Sequence, residues 1–352
     1  MTTAPHIEYS ALVDIDIIIP CRNEENHISQ MLDSVLQQRY PISKMNIYII
    51  DGMSTDKTLD VVESLAAEHK NIYVVQNPFK TTPHALNIGI KNSKSPYIVR
   101  MDCHAEYPPN YLYRLITEAL ASGADNVGGS IKTVPSEDGA VPRAIAIALQ
   151  LPIGVGNSRF RTGGTTEPIE VDTVPFGCFR RSIFTKIGLF DEEMLRNQDD
   201  ELNARIRKNG GKIILLPDIE IIYFARSNLK SLWTMFFQYG EYKMRSNIKS
   251  GSIVSLRQFA PGLLALSIVI AKILLFSPYP LLAFTPDLFY FSAIYSYFFI
   301  SRNNVLRHTS LKDRVLCAFA VNTMHLSYGF GFLYGIYLFL RKSKKNDIKL
   351  SR

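Results

Sequence analysis

Between Asp16 and Ile131 short apolar runs alternate with amphipathic stretches, and this alternation limits the fold more than any other feature. The runs DIIIP, MNIYIID, NIYVVQN, SPYIVRMD and ADNVGGSI are rich in β-branched and aromatic residues. They read as strands. ENHISQMLDSVLQQ sets Ile28, Met31, Leu32, Val35 and Leu36 on one helical face. STDKTLDVVESLAAEH opens with capping residues and turns apolar at helical spacing. TPHALNIGIKNS reads as a helix, and so does PPNYLYRLITEALASG, with Pro at its start and Gly at its end. Strands alternating with helices build right-handed βαβ units and a mainly parallel sheet. Such sheets bind ligands beyond the carboxyl ends of their strands. Glu24, Asp51 and Asp102 fall there.

Composition splits the chain after Arg257. The segments 259–277, 279–300 and 315–340 carry one, one and no charged residues. Each is long enough to cross a hydrocarbon core. Pro280 and Pro286 mark the second as the one to bend or re-enter, so two to three transmembrane helices are expected. LKSLWTMFFQYGEYKMR (229–245) mixes aromatic anchors with basic edges, the pattern of an interfacial helix. The expected division is therefore 1–225 soluble, 226–258 interfacial and 259–352 membrane.

The net charge is +7, with +8 on residues 301–352, +5 on 226–257 and −6 on 1–225. The basic residues flank apolar segments, a pattern that suits anionic lipid and not nucleic acid. The four cysteines contain no CxxC pair, which argues against a structural zinc site and fits a reducing compartment. The first 15 residues lack a basic start and an apolar core, so no signal peptide is read. A cytoplasmic catalytic part on a multi-pass protein of the plasma membrane is the expectation.

No GxGxxG follows the first strand, and no GxxxxGK[ST] occurs, so the usual dinucleotide and P-loop readings fail. Four polar clusters remain: NEE (23–25), DGMSTD (51–56), DCH (102–104) and NQDDELN (197–203). Taken singly, an Asp at a strand end more often caps a turn than binds a ligand. Asp102 and His104 alone leave both readings open. The order and spacing of all four clusters are more specific.

IIIPCRNEENHISQMLDSVLQQ, YIIDGMSTDKT, ALNIGI, VRMDCHAEYPPNYL, VPFGCFRRSIFTKIGLFDE and NQDDELNARIRKNGGKI together resemble the family 2 glycosyltransferases, inverting enzymes of the GT-A fold. The resemblance covers about residues 14–225 and is nearest to the bacterial exopolysaccharide, succinoglycan-type enzymes. It implies an α/β fold, a Rossmann-like mixed sheet with transmembrane helices appended. It also implies residue roles. Asp51 matches the acid that contacts the uracil, and Pro20 and Glu24 the edge of that nucleotide pocket. Asp102 matches the first Asp of the DxD motif at the metal and diphosphate, with His104 where the second Asp would stand. Asp199 matches the catalytic base of the ED pair, whose Glu is Gln198 here. Gln238 and Arg245 sit where membrane relatives carry QxxRW, but the spacing differs and no Trp follows.

The chemistry needs these residue types in any case. A nucleoside-diphosphate leaving group gains negative charge as the C1–O bond breaks, and a divalent cation, Mn²⁺ or Mg²⁺, neutralises it. Oxygen ligands suit both ions, and neutral imidazole suits Mn²⁺ better. A carboxylate within reach of the acceptor hydroxyl takes its proton. Asp199 and Leu202 and Ile206 fall at helical spacing, with Asp200 as reserve base and Glu201 paired to Arg205. The reading is transfer from a nucleotide-sugar, a UDP-hexose, to a lipid-linked (polyprenyl-diphosphate) saccharide. Its rivals are a polyprenyl-phosphate sugar synthase and a catalytically lapsed nucleotide-sugar-binding scaffold.

Overall fold

The computed structural model of the protein describes residues 7–8, 11–156, 158–164, 166–250, 256–307 and 309–341. The basic tail after Arg341 and the stretch 251–255 of the interfacial segment lie outside these residues, as does Thr165 in the loop before Glu167. Two compact units divide the chain: Met1–Lys132 with Gly163–Tyr223, and Thr133–Thr162 with Phe224–Arg352. This division follows spatial contact. It groups 133–162 with the C-terminal third, where the break in composition grouped it with the soluble part.

Nine strands are found among the described residues. They are β1 (Ile15–Cys21), β2 (Met45–Asp51), β3 (Ile72–Gln76), β4 (Tyr97–Arg100), β5 (Ala105–Glu106), β6 (Asn126–Val134), β7 (Ile169–Glu170), β8 (Cys178–Arg180) and β9 (Ile213–Phe224). The longer helices of the first unit are α1 (Ile28–Leu36), α2 (Thr58–Glu68), α3 (Thr82–Asn92) and α4 (Tyr111–Ser122). Those of the second unit begin with α5 (Ala140–Ala148), α6 (Pro152–Val155) and α7 (Arg159–Thr162). The first unit resumes with α8 (Arg181–Ile187) and α9 (Gln198–Lys208). The second resumes with α10 (Leu229–Ser250), α11 (Ala260–Ala271), α12 (Thr285–Ile300) and α13 (Leu311–Leu340).

The strands form one sheet in the order β3-β2-β1-β4-β8-β6-β9-β5, with β7 on β9. β3, β2, β1 and β4 are mutually parallel, as the alternation predicts. β8 then pairs antiparallel with both β4 and β6, so the sheet is mixed and not mainly parallel. β1 has parallel neighbours on both sides, and Ile17, Ile18 and Ile19 are fully buried. A strand covered on both faces reads as a continuous apolar run for this reason. Helix α4 ends at Gly123, whose φ of +70° gives the left-handed stop that the sequence called for.

Asp16 interrupts the apolar run of β1 and is fully buried. Its carboxylate accepts hydrogen bonds from the backbone N–H groups of Lys94 and Ser95 at 2.7 and 2.5 Å. It also accepts from the Ser95 hydroxyl, the Asn46 amide and the Arg181 guanidinium at 2.7, 2.9 and 3.0 Å. Five donors replace the lost hydration, and they tie β1 to the turn before β4 and to the start of α8.

In the second unit α10 and α5 both pack against α13. Gly240 and Gly331 let α10 and α13 approach closely: a Cβ at either would come within 2.0 Å of a carbonyl oxygen of the other helix. Among the described residues α13 alone is long and apolar enough to cross a membrane by length and composition. The other two apolar segments do not form continuous spans. The first breaks at Lys272 into a 3₁₀ stretch, and the second opens with a 3₁₀ stretch from Pro280 before the 16-residue α12. Sixteen residues rise about 24 Å, short of a hydrocarbon core of about 30 Å. In the second segment Pro280 and Pro286, at the heads of the 3₁₀ stretch and of α12, prevent one helix from running through.

Asp16→Ala would strand the donors that converge there, the Arg181 guanidinium included. A loss of about 3–5 kcal/mol is expected, the cost of breaking a buried ion pair on one side. Thermal unfolding of the full chain would show it as a lower midpoint.

Candidate active site

Two loops interlock beyond the carboxyl ends of β1 and β2. The Asn23 N–H donates to the Ser54 hydroxyl at 2.9 Å, and the Asn23 side-chain oxygen accepts from the Thr55 N–H at 2.9 Å. The Glu24 N–H donates to the Thr58 hydroxyl at 2.7 Å, and the Glu25 carboxylate accepts from the Lys57 N–H at 3.1 Å. Asn23 and Met53 take left-handed backbone conformations, φ +55° and +59°, to make these turns. Asp51 is buried at the end of β2, and its carboxylate accepts from the Ser54 N–H and hydroxyl at 3.1 and 2.5 Å. The cluster NEE and the cluster DGMSTD are thus one structure. Pro20 is the last residue but one of β1, and its carbonyl accepts from the Cys103 thiol at 3.7 Å.

Beyond β4 the chain carries Asp102 and His104. The Asp102 N–H donates to the Tyr107 hydroxyl at 2.6 Å, which fixes the turn. His104 Nε2 lies 3.0 Å from Glu24 Oε1, and its ring meets that of His27 edge-on with centroids 4.9 Å apart. Ligand atoms of Glu24, His27 and His104 all lie within 4.8 Å of one another. One carboxylate and two imidazoles form a donor set for a borderline divalent ion. The Asp102 carboxylate is engaged on its other side by Arg100 at 3.4 Å. Cys103 stands between these groups but is no thiolate: burial pushes its thiol well up, and the neighbouring carboxylates add to this.

Asp199 occupies the first turn of α9, where spacing placed it, with Leu202 and Ile206 fully buried behind it. Asn197 caps the helix in a left-handed conformation, φ +57°. The Asp199 carboxylate accepts from Arg100 Nη1 at 2.5 Å. Burial raises its pKa above the ordinary carboxylate value, and the Arg100 charge only partly opposes this. Asp200 accepts from the Thr173 hydroxyl at 3.0 Å. Glu201 pairs with Arg205 at 2.7 Å, as its i,i+4 spacing implied. Gln238 and Arg245 belong to the second unit, on α10, where Arg245 pairs with Glu241 at 3.4 Å and lies over the Tyr242 ring.

Sequence reasoning passed over Arg100 and His27. Arg100 closes an apolar strand and is buried, and a buried charge demands a partner, so the signal was present. His27 follows Glu24 by three residues, one helical turn later, and that spacing was its only hint.

A model of the glycosyl transferase family 2 domain matches residues 16–188. The succinoglycan biosynthesis protein ExoA of Rhizobium meliloti is 31% identical over 247 residues, which span 70% of this chain and 73% of that protein. The chain belongs to glycosyl transferase family 2. A second relative of this chain comes from Methanococcus voltae. It is the dolichyl N-acetyl-α-D-glucosaminyl phosphate 3-β-D-2,3-diacetamido-2,3-dideoxy-β-D-glucuronosyltransferase, 31% identical over 273 residues, 74% of this chain and 83% of that protein. Among solved structures, a mannosyltransferase of Pyrobaculum calidifontis in complex with GDP-Man and Mn²⁺ superposes with a TM-score of 0.57 over 94% of this chain and 89% of that one. At 16% identity that likeness speaks for the fold alone, a GT-A-like α/β sheet. The family 2 chain is therefore a glycosyltransferase related to exopolysaccharide enzymes.

Proposed function

We propose that this family 2 glycosyltransferase is a membrane-anchored inverting enzyme that moves a hexose from a UDP-sugar to a lipid-linked saccharide at the cytoplasmic face of the plasma membrane. The observation that carries the reading is the half-buried Asp199 carboxylate at the head of α9, bound to an arginine that also reaches Asp102. It joins a base on one element to the diphosphate-binding position on another.

The residues divide the work. Asp51, held by Ser54, offers an acceptor oxygen to the base N–H of a pyrimidine nucleotide, with Pro20 and Glu24 at the edge of that pocket. His104, with Glu24 and His27 gathered beside it, would hold a divalent cation, Mn²⁺ ahead of Mg²⁺, to neutralise charge on the departing diphosphate. Asp102, two residues from His104 but outside that cluster and engaged by Arg100, is the second proposed ligand. Asp199 takes the proton of the acceptor hydroxyl, which attacks from the face opposite the leaving group, so one displacement inverts the anomeric carbon. The buried cysteines, their thiols raised by burial, offer no nucleophile for a double displacement. Asp200, bound to Thr173, is the reserve base.

Support for the membrane comes from the second unit. Besides α13, large side chains such as Phe276, Leu281, Phe289 and Ile300 are exposed there, at 94, 82, 78 and 76%. Apolar surface on this scale needs a cover. Support for a lipid-linked acceptor comes from the two relatives, one named for succinoglycan biosynthesis and one for a dolichyl-phosphate-linked sugar. Gln238 and Arg245 are carried forward as candidates for the acceptor side only.

Asp199→Asn should lower transfer by about 10²–10⁴-fold with UDP affinity nearly unchanged, read by product formation and by calorimetric titration. Near-normal turnover would remove Asp199 from the base role. The pH dependence follows with its sign. The base acts only when ionised, and its pKa is raised by burial, so activity should fall on acidification at a pH above the usual carboxylate value of about 4. An acid limb at or below that value would contradict the assignment. For the cation, His104→Ala and His27→Ala should each weaken Mn²⁺ binding by roughly 10–100-fold, measured by loss of the free-ion EPR signal. Unchanged Mn²⁺ affinity in both variants would dismiss the cluster as a metal site.

A further inference from the structure

Arg100 stands apart from the roles just described. Its side chain is 6% exposed at the end of β4. The guanidinium reaches Asp199 through Nη1 at 2.5 Å and Asp102 through Nη2 at 3.4 Å, while Nε is buried without a hydrogen-bond partner. Its carbon lies 5.6 Å from the centre of the Phe176 ring. The Pro175-Phe176-Gly177 turn that brings this ring in is tightly built. Phe176 and Gly177 both have positive φ, +61° and +66°, and a Cβ on Gly177 would lie 2.4 Å from the Asn126 side-chain oxygen. The Gly177 carbonyl accepts from the Arg100 N–H at 3.0 Å, so the same turn holds both the backbone and the side chain of the arginine.

We propose that Arg100 is the positioning residue of the base: it fixes the direction of the Asp199 carboxylate by one short charge-assisted bond and aligns it with Asp102 by the second. This inference rests on the reading of Asp199 as the base. The distances decide where the effect falls. A bond of 2.5 Å is a strong ionic hydrogen bond and one of 3.4 Å a weak one, so Arg100 serves Asp199 first and the nucleotide side second. A planar two-pronged donor bridging two carboxylates sets an angle as well as a distance, which a lysine ammonium cannot do. With α9 anchored behind by Leu202 and Ile206, only the side-chain torsions of Asp199 stay free, and Arg100 removes that freedom. A misplaced base costs turnover and not binding.

The test uses the full chain in detergent with Mn²⁺ and a polyprenyl-diphosphate monosaccharide. UDP or GDP release from UDP-glucose, UDP-GlcNAc and GDP-Man is followed, and the fastest donor is kept. Arg100→Met should lower kcat about a hundredfold, with affinity for that donor's nucleoside diphosphate changed less than threefold. Arg100→Lys, which keeps the charge but loses the fork, should lie between the two. Guanidinium ion at tens of millimolar should restore part of the turnover of Arg100→Ala, whereas urea, its neutral isostere, should not. Equal losses in the Met and Lys variants, or equal rescue by urea, would overturn the proposal, because a merely space-filling arginine behaves so. An inactive Asp199→Asn beside a normal Arg100→Met would sink this inference and leave the base reading intact. An active Asp199→Asn, or no turnover by the unaltered chain with any of the three donors, would sink the reading beneath it.

Discussion

A guanidinium buried in a protein interior must be paired, and the candidate site is organised by that requirement at Arg100. The cost of leaving such a charge unpaired is several kcal/mol. Two carboxylates, Asp199 and Asp102, meet the demand from different elements. Their mutual repulsion would be destabilising without the cation between them. The buried arginine thus permits two anionic groups to stand close together in a partly dry pocket. The usual concern with buried ion pairs, that desolvation consumes the Coulomb gain, makes this pair poor evidence for stability. It makes better sense as a device for holding geometry.

Much of the first half of the fold could be read from local periodicity. β2 spans the seven residues expected of it, and α3 and α4 begin and end within a few residues of their capping signals. These are βαβ units, in which each helix lies beside the strands it follows. What could not be read is the antiparallel insertion. β8 is three residues long and β5 two, too short to carry any period. Their pairing depends on partners far along the chain. The site shows the same division. Asp51, Asp102 and Asp199 were visible because each stands at the end of a strand or the start of a helix. Arg100 looked like the last residue of a strand, and His27 like the flank of a helix, since their partners are remote in sequence or across a loop.

Composition alone left one feature of the C-terminal third unread. It registers how apolar a segment is, but not whether the backbone continues as one helix. Lys272 and Pro280 interrupt what the hydropathy treats as spans, and the Lys272 ammonium is paired with Asp287 and lies over the Phe284 ring. A charge inside an apolar stretch is explained once it is seen to be neutralised by its neighbour. The close approach of α10 and α13 at glycines was also hidden, because a glycine in a helix says nothing by itself about which backbone it admits.

The insertion of β8 between β4 and β6 has a consequence for the order of events during synthesis. The parallel strands β1 to β4, with the loops that carry Asp51 and Asp102, are complete once about a third of the chain has emerged. They close on contacts of moderate sequence separation. Arg100 then ends an edge strand with no neighbour on one side until Cys178–Arg180 arrives, and its carboxylate partner on α9 is 99 residues further along the chain. Long-range pairings of this kind form late and slowly. The half that carries Asp51 and Asp102 therefore exists before the half that carries Asp199. During that interval a buried-to-be charge stands open to solvent, which keeps an unfinished strand edge from pairing with another copy of itself.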